Sequence, residues 1–173
     1  MYNACHVNVI IPALNEAAAI GYVLDALPSV VDHVIVADNG STDATASEAH
    51  QHGATVVHEP RRGYGAACLR GLAAVGQPDI VVFLDADFSD DPHEMPQLLA
   101  PLTSGYADLV IGSRTRGNPD QGALSLPQRF GNALASFLLS RLWQQPCTDL
   151  GPFRAIRFDA LAALEMNDFG YGW

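Results

Sequence analysis

The chain has 173 residues, 49% of them hydrophobic and 16% charged, which is the composition of one globular domain and not of a disordered segment. Nineteen acidic residues against nine basic ones give a net charge of −10, which disfavours duplex nucleic acid and anionic membrane surfaces as partners. Every basic residue is an arginine, and the absence of lysine excludes Schiff-base enzymes, pyridoxal-phosphate enzymes and the lysine-dependent phosphate loop of many NTPases.

The elements alternate along the chain. Val7 to Ile11 is an apolar strand that Pro12 is expected to end, and Ile20, Val23, Leu24 and Leu27 then form one helix face. His33 to Ala37 is a second strand. A helix follows from about Asp43, with Ser41 or Thr42 as N-cap and Gly53 as its stop. Thr55 to Val57 is a third strand, and Gly65 to Val75 a third helix with Gly71 inside it. Ile80 to Leu84 is a continuous apolar run, as expected of a strand buried on both faces. Asp91-Pro92-His93-Glu94 starts a helix whose buried face is Met95, Leu98, Leu99 and Leu102. Leu109 to Ile111 is the fifth strand. A polar, glycine-rich stretch from Gly112 to Gln128 precedes a long helix from Phe130 to Trp143. Phe153 to Ile156 is a sixth strand and Asp159 to Leu164 a last helix. This alternation predicts an α/β fold with a mostly parallel sheet and helices on both faces.

Cys5, Cys68 and Cys147 are too few and too scattered for a disulfide framework or a zinc knuckle, which points to a reducing, cytoplasmic compartment. No signal region opens the chain, and no run approaches the ~18 apolar residues of a membrane span.

In open α/β sheets ligands bind beyond the carboxyl ends of the strands. Those ends carry Pro12-Ala13-Leu14-Asn15-Glu16, Asp38-Asn39-Gly40-Ser41-Thr42-Asp43, Arg61-Arg62-Gly63-Tyr64-Gly65, Asp85-Ala86-Asp87 and Gly112-Ser113-Arg114. The opposite ends are plainer, so a polar ligand site is expected on one edge. Asp85 and Asp87, two apart in extended backbone, point the same way and can hold one hard divalent cation, Mg²⁺ or Mn²⁺. Asp38 is either a turn residue or an acceptor for a nucleobase or ribose. Glu16 is either a helix-start carboxylate or a nucleotide contact. Arg114 is a candidate phosphate ligand, whereas surface solvation is the default for Arg129, Arg154 and Arg157. Asp149 is either a turn residue or a group reaching the cleft from the acceptor side.

The motif set resembles family 2 glycosyltransferases of the GT-A fold. Val9-Ile10-Ile11-Pro12-Ala13-Leu14-Asn15-Glu16 looks like their opening motif. Asp38 to Thr45 looks like the second, with Asn39 where an aspartate is usual. Arg62-Gly63-Tyr64-Gly65, Asp85-Ala86-Asp87 and Gly112-Ser113-Arg114 match the next three in order. Arg129-Phe130-Gly131-Asn132 and Thr148 to Arg154 are similar to the dolichyl-phosphate mannose synthase and bacterial polyprenyl-phosphate glycosyltransferase branch. The resemblance implies a single catalytic domain over 1–173, C-terminally incomplete by comparison with that family. It implies that Pro12, Leu14, Glu16 and Asp38 line the nucleotide site, with Arg62, Gly63 and Asp85 beside it. Asp85 and Asp87 would hold Mg²⁺ or Mn²⁺, and Arg114 and Arg154 would serve phosphates or acceptor. Ser89 stands where relatives often carry glutamine.

The implied reaction is inverting transfer of a sugar from a UDP- or GDP-linked donor. A polyprenyl phosphate is a candidate acceptor, which would bring the chain to the cytoplasmic face of a membrane. Such a phosphate is largely ionised at neutral pH and needs no strong base. A hydroxyl acceptor would need one, and Asp149 is the candidate, with Asp87 the other catalytic carboxylate. Two competitors stand beside this reading. Val81 to Ser89 superficially looks like the nucleophile strand of haloacid-dehalogenase-type phosphatases. A non-catalytic nucleotide-sugar-binding remnant is the other. An unfinished sheet edge would invite oligomer formation.

Overall fold

The computed structural model describes residues 1–113, 141 and 151–170. The predicted Phe130–Trp143 helix, the polar stretch beyond residue 113, Arg114 and Asp149 lie outside the described residues, Arg141 apart. Contacts divide the chain into Met1–Val110 with Phe153–Trp173, and Ile111–Pro152, and most described residues belong to the first unit.

In chain order the elements are β1 (Val7–Ala13), α1 (Ile20–Asp25), β2 (His33–Asp38), α2 (Thr45–Gln51), β3 (Thr55–His58), α3 (Tyr64–Ala74) and β4 (Ile80–Phe83). A 3₁₀ turn (Pro92–Glu94) runs into α4 (Met95–Thr103). β5 (Leu109–Ile111), β6 (Arg154–Arg157) and α5 (Phe158–Ala163) follow. The strands form one sheet in the order β3-β2-β1-β4-β6-β5. β1 to β4 are mutually parallel, and β6 runs antiparallel to β4, with Arg154 opposite Phe83. The α/β prediction therefore holds, as a mixed and mostly parallel sheet.

Alternation along β1 sorts its side chains to two faces. Val7, Val9 and Ile11 pack with Ile20 and Val23 of α1 and Leu99 of α4. Ile10 packs on the other face with Ile35, Val81, Phe83, Cys68 of α3 and Leu161 of α5. Each such fully buried aliphatic side chain contributes about 1.5–3 kcal/mol. Asn8, also on the second face, is buried because its Nδ2 donates to the Val75 carbonyl at 2.8 Å. The four residues of β4 are all buried, as the unbroken apolar run required.

Two local expectations are corrected. Pro12 does not end β1, which runs on to Ala13. Pairing with β4 stops at Ile10, while pairing with β2 continues to Ala13. A residue with no N–H is tolerated where one flank is already free. Neither Ser41 nor Thr42 caps α2. Its N-cap is Ala44, with no side-chain bond. Both hydroxyl residues are drawn instead towards the turn after β1, as described next. Asp91, by contrast, is the predicted cap: its Oδ1 accepts from the His93 N–H at 3.0 Å, ahead of Pro92.

Candidate active site

The strand order reverses direction between β1 and β4, and there β1 outruns its neighbour by three residues. This switch point opens the crevice in which α/β sheets take ligands. The turn after β1 enters it with Leu14 exposed and Asn15 in the left-handed region at φ 59°. Hydrogen bonds from the second motif hold that turn. Asn15 N–H donates to Ser41 Oγ at 3.0 Å, and Asn15 Oδ1 accepts from the Thr42 N–H at 2.8 Å. Glu16 N–H donates to Thr45 Oγ1 at 2.8 Å, and Ala17 N–H to Asp43 Oδ2 at 3.2 Å. Asp43 thus accepts from both sides of the turn, including from the Thr45 hydroxyl and N–H. Glu16 itself is pushed above the usual carboxylate range by burial, and then by the charges of Asp87 and Asp43. The first, second and fourth motifs therefore converge, as the sequence predicted.

Asp38 ends β2 almost fully buried. Burial would raise its pKa, but bonds from Ser41 and the neighbouring His58 outweigh this and hold it low, so it stays an anion. Its Oδ1 accepts from the Ser41 N–H at 3.1 Å, and His58 Nδ1 lies 3.1 Å from Oδ2. Both the turn role and a remaining capacity to accept from a ligand fit this geometry.

Asp85 and Asp87 leave β4 together. Asp85 is half-buried and pushed up to about 6, first by burial, then by the charges of Asp87 and Asp90. The Tyr64 hydroxyl, 3.5 Å from Asp85 Oδ1, and the charge of Arg154 act against that rise. Asp87 is exposed, with one oxygen fixed by the Ser89 N–H at 2.9 Å. Phe88 between them stands in the left-handed region at φ 61° and is half-exposed. Two mutually repelling carboxylates, one withdrawn from water, are hard oxygen donors that fit Mg²⁺ or Mn²⁺. Among the described residues no set of three or more His, Cys, Asp or Glu forms a closed metal cage. A cation on this pair would keep positions for diphosphate oxygens.

Arg154 and Gly63 have surroundings that the sequence did not disclose. Arg154 is half-buried. It stands on β6 behind Asp85, with its guanidinium 5.9 Å over the Phe83 ring and its Nε buried without a hydrogen-bond partner in the described structure. Gly63 has φ 144°, and a Cβ there would lie 2.3 Å from the Phe169 carbonyl oxygen. Its missing side chain admits the segment 168–170, whose carbonyls at Phe169 and Gly170 accept from the Ala66 and Gly65 N–H groups. The N-terminus of α3 is thus satisfied by the chain itself. Arg61 stacks on Phe169 at 3.8 Å from the ring centroid, whereas Arg62 reaches back over Gly40. Sequence reading missed Tyr64, His58 and this C-terminal segment. Adjacency to the third motif was the one available signal for Tyr64.

The glycosyl transferase family 2 model matches residues 8–164. The chain belongs to that family. It is a glycosyltransferase by descent, with the GT-A fold, and the phosphatase alternative is set aside. It is 41% identical, over 96% of its length, to an uncharacterized glycosyltransferase of Mycobacterium tuberculosis, and spans 74% of that protein. It is 41% identical over 131 residues to glucosyl-3-phosphoglycerate synthase of Mycolicibacterium smegmatis, covering 68% of this chain and 43% of the synthase. The crystal structure of the Mycobacterium tuberculosis synthase with UDP superposes with a TM-score of 0.71 at 33% identity, over 91% of this chain and 58% of that one. The same synthase has been crystallised with Mn²⁺, UDP-glucose and phosphoglyceric acid, again at a TM-score of 0.71. These relatives are not specifically of the polyprenyl-phosphate branch. Among the described residues no helix is long and apolar enough to cross a membrane.

Proposed function

We propose that the chain binds a nucleoside-diphosphate sugar, with UDP-glucose the best-supported donor, and transfers the sugar with inversion to a phosphate-bearing acceptor. The observation that carries this reading is the Asp85–Asp87 pair at the β1/β4 switch point, with Asp85 pushed up to about 6 by burial and by its neighbours' charges. A cation bound there would neutralise charge on the departing diphosphate. Asp85 and Asp87 would hold it, and the Ser89 N–H, bonded to one Asp87 oxygen, restrains that carboxylate. Asp38, kept ionised, accepts from the base or ribose, while Pro12, Leu14 and Glu16 line that side. Arg62 supplies positive charge to the nucleotide. Arg154 acts from behind Asp85 by limiting its repulsion, not by touching phosphate. Arg114 for the phosphates and Asp149 as base for a hydroxyl acceptor stay as roles suggested by the motif resemblance.

The relatives favour a small phosphorylated acid as acceptor over a polyprenyl phosphate. A polyprenyl phosphate would additionally bring the chain to the cytoplasmic face of a membrane. Calorimetric titration with UDP, GDP and their glucose and mannose conjugates, with and without Mn²⁺, tests the donor. Mn²⁺-dependent binding of a uridine nucleotide, lost in Asp85→Ala and Asp87→Ala, is the expected result. Binding that ignores both substitutions would overturn the site. Transfer assays with 3-phosphoglycerate and with a short polyprenyl phosphate then separate the acceptors.

A further inference from the structure

Asn39 occupies the place where the family resemblance leads one to expect an aspartate, and the structure gives it work that an aspartate cannot do. Its side chain is 5% exposed. Nδ2 donates to the Glu59 carbonyl at 3.1 Å and to the Arg61 carbonyl at 2.7 Å. Oδ1 accepts from the Gly63 N–H at 2.9 Å. Both donors and the acceptor of the amide are thereby used on one turn, residues 59–63. The turn is fixed elsewhere too: Glu59 N–H donates to the Asp38 carbonyl at 2.8 Å, and Glu59 Oε1 accepts from the Arg61 N–H at 2.8 Å. Asn39 is itself anchored to the end of β1 through its own N–H and the Ala13 carbonyl, at 2.9 Å.

The residue that this arrangement places is Arg62. Its guanidinium packs on Gly40, with Nε 3.7 Å from where a Cβ would stand. Gly40 has φ +78°, so the second motif's turn both accepts that conformation and leaves room for the flat group. Among the described residues Arg62 has no ion-pair partner, although the chain carries ten more negative than positive charges. Its neighbour Arg61 is turned the other way, onto Phe169. An exposed, unpaired guanidinium, packed on Gly40 in the turn that follows Asp38, can take an anion or a base edge.

We propose that Asn39 is a positioning residue for the donor site: its amide clamps the 59–63 turn so that Arg62 is presented over Gly40 to the donor's nucleoside diphosphate. This rests on the donor reading above. An aspartate at 39 would face two carbonyl oxygens with a buried carboxylate and lose both donor bonds, so the clamp is specific to the amide. The identity of one motif residue thus decides where the neighbouring motif's arginine points.

The test measures UDP and uridine binding in Mn²⁺ for the wild-type chain, Arg62→Ala, Asn39→Ala, Asn39→Asp and the Asn39→Ala/Arg62→Ala double variant, with near-UV circular dichroism as the check on folding. Arg62→Ala and Asn39→Ala should each weaken UDP binding about tenfold, the range of one charge-assisted hydrogen bond. The double variant should be no weaker than Arg62→Ala alone, because both remove one contact. A merely structural role for Asn39 would instead give additive losses, and additivity overturns the proposal. So does Arg62→Ala binding UDP as wild type does, a result that stands even if the Asn39 variants fail to fold. Loss confined to UDP and absent with uridine locates the contact at the diphosphate, and equal losses locate it at the base or ribose. Wild-type chain that binds no nucleotide overturns the donor reading itself, whereas wild-type binding with unaffected Asn39 variants overturns only the clamp.

Discussion

Asp85 carries a conflict that the protein itself relieves only in part. Its carboxyl leaves a buried strand beside Asp87 and Asp90, and burial and like charge both oppose its ionisation. The Tyr64 hydroxyl and the Arg154 charge offset part of this from behind. Asp85→Asn keeps the shape and an acceptor for Tyr64 while removing the charge. In a chelator the Asn variant should therefore be the more stable chain at neutral pH, by on the order of 1–2 kcal/mol. That corresponds to a rise of a few degrees in Tm for a chain of this size. Excess Mn²⁺ should raise the Tm of the wild type slightly and leave the variant unmoved. Thermal unfolding of the two proteins, each with chelator and with Mn²⁺, measures both effects. A variant that melts lower in chelator would mean that the fold uses the Asp85 charge, and the metal reading would lose its physical basis. Phe88 belongs to the same conflict, since a bulky residue in the left-handed region is strain of the kind found at functional turns.

At the scale of elements, α3 is placed by a glycine that its own sequence pattern makes look like a weakness. Gly71 lies mid-helix, where glycine costs about 1 kcal/mol against alanine. Yet a Cβ there would sit 2.4 Å from Ile10 Cγ2, on the second face of β1. The helix approaches the central strand closely because no side chain intervenes. This sets the height at which Tyr64, at the start of α3, reaches Asp85. Gly71→Ala should destabilise by about 1–3 kcal/mol despite its better helix propensity, the cost of overpacking a tight contact. Pairing it with Ile10→Leu, which removes the opposing Cγ2 methyl group and conserves side-chain volume, should return part of that loss. Denaturant unfolding of the two single variants and the double variant reads the coupling. An unchanged or raised midpoint for Gly71→Ala alone would show that α3 moves away freely. The fixed distance between α3 and β1 would then not be what positions Tyr64.

For the molecule as a whole, the sequence disclosed the sheet and the edge at which the candidate site gathers, through an apolar run and the turns that follow the strands. The unbroken apolar run Ile80 to Leu84 announced a strand buried on both sides, and the polar turns after successive strands could only gather at one edge once those strands were parallel. What it could not disclose were interactions made across chain distance. Ser41 and Thr42 look like helix caps in isolation, but the turn at Asn15 competes for them and wins. Arg154 looks solvated until β6 is known to lie antiparallel beside β4. Gly63 reads as close-approach backbone, but only the fold shows that the Phe169 carbonyl is what approaches it. The resulting chain has a net charge of −10 and gathers Glu16, Asp38, Asp43, Asp85 and Asp87 around the site proposed for a nucleoside diphosphate. Such a surface repels a free nucleoside diphosphate and attracts a dication. Cation and nucleotide binding should consequently be strongly coupled, each nearly ineffective alone. UDP without Mn²⁺ should leave Tm unchanged, and Mn²⁺ alone should raise it only slightly. Both together, at about a hundred times the dissociation constant, should add about 2.7 kcal/mol and several degrees. Differential scanning fluorimetry over a grid of the two concentrations measures the coupling directly. A full shift with UDP alone would mean that arginines, and not a metal held by Asp85 and Asp87, neutralise the diphosphate.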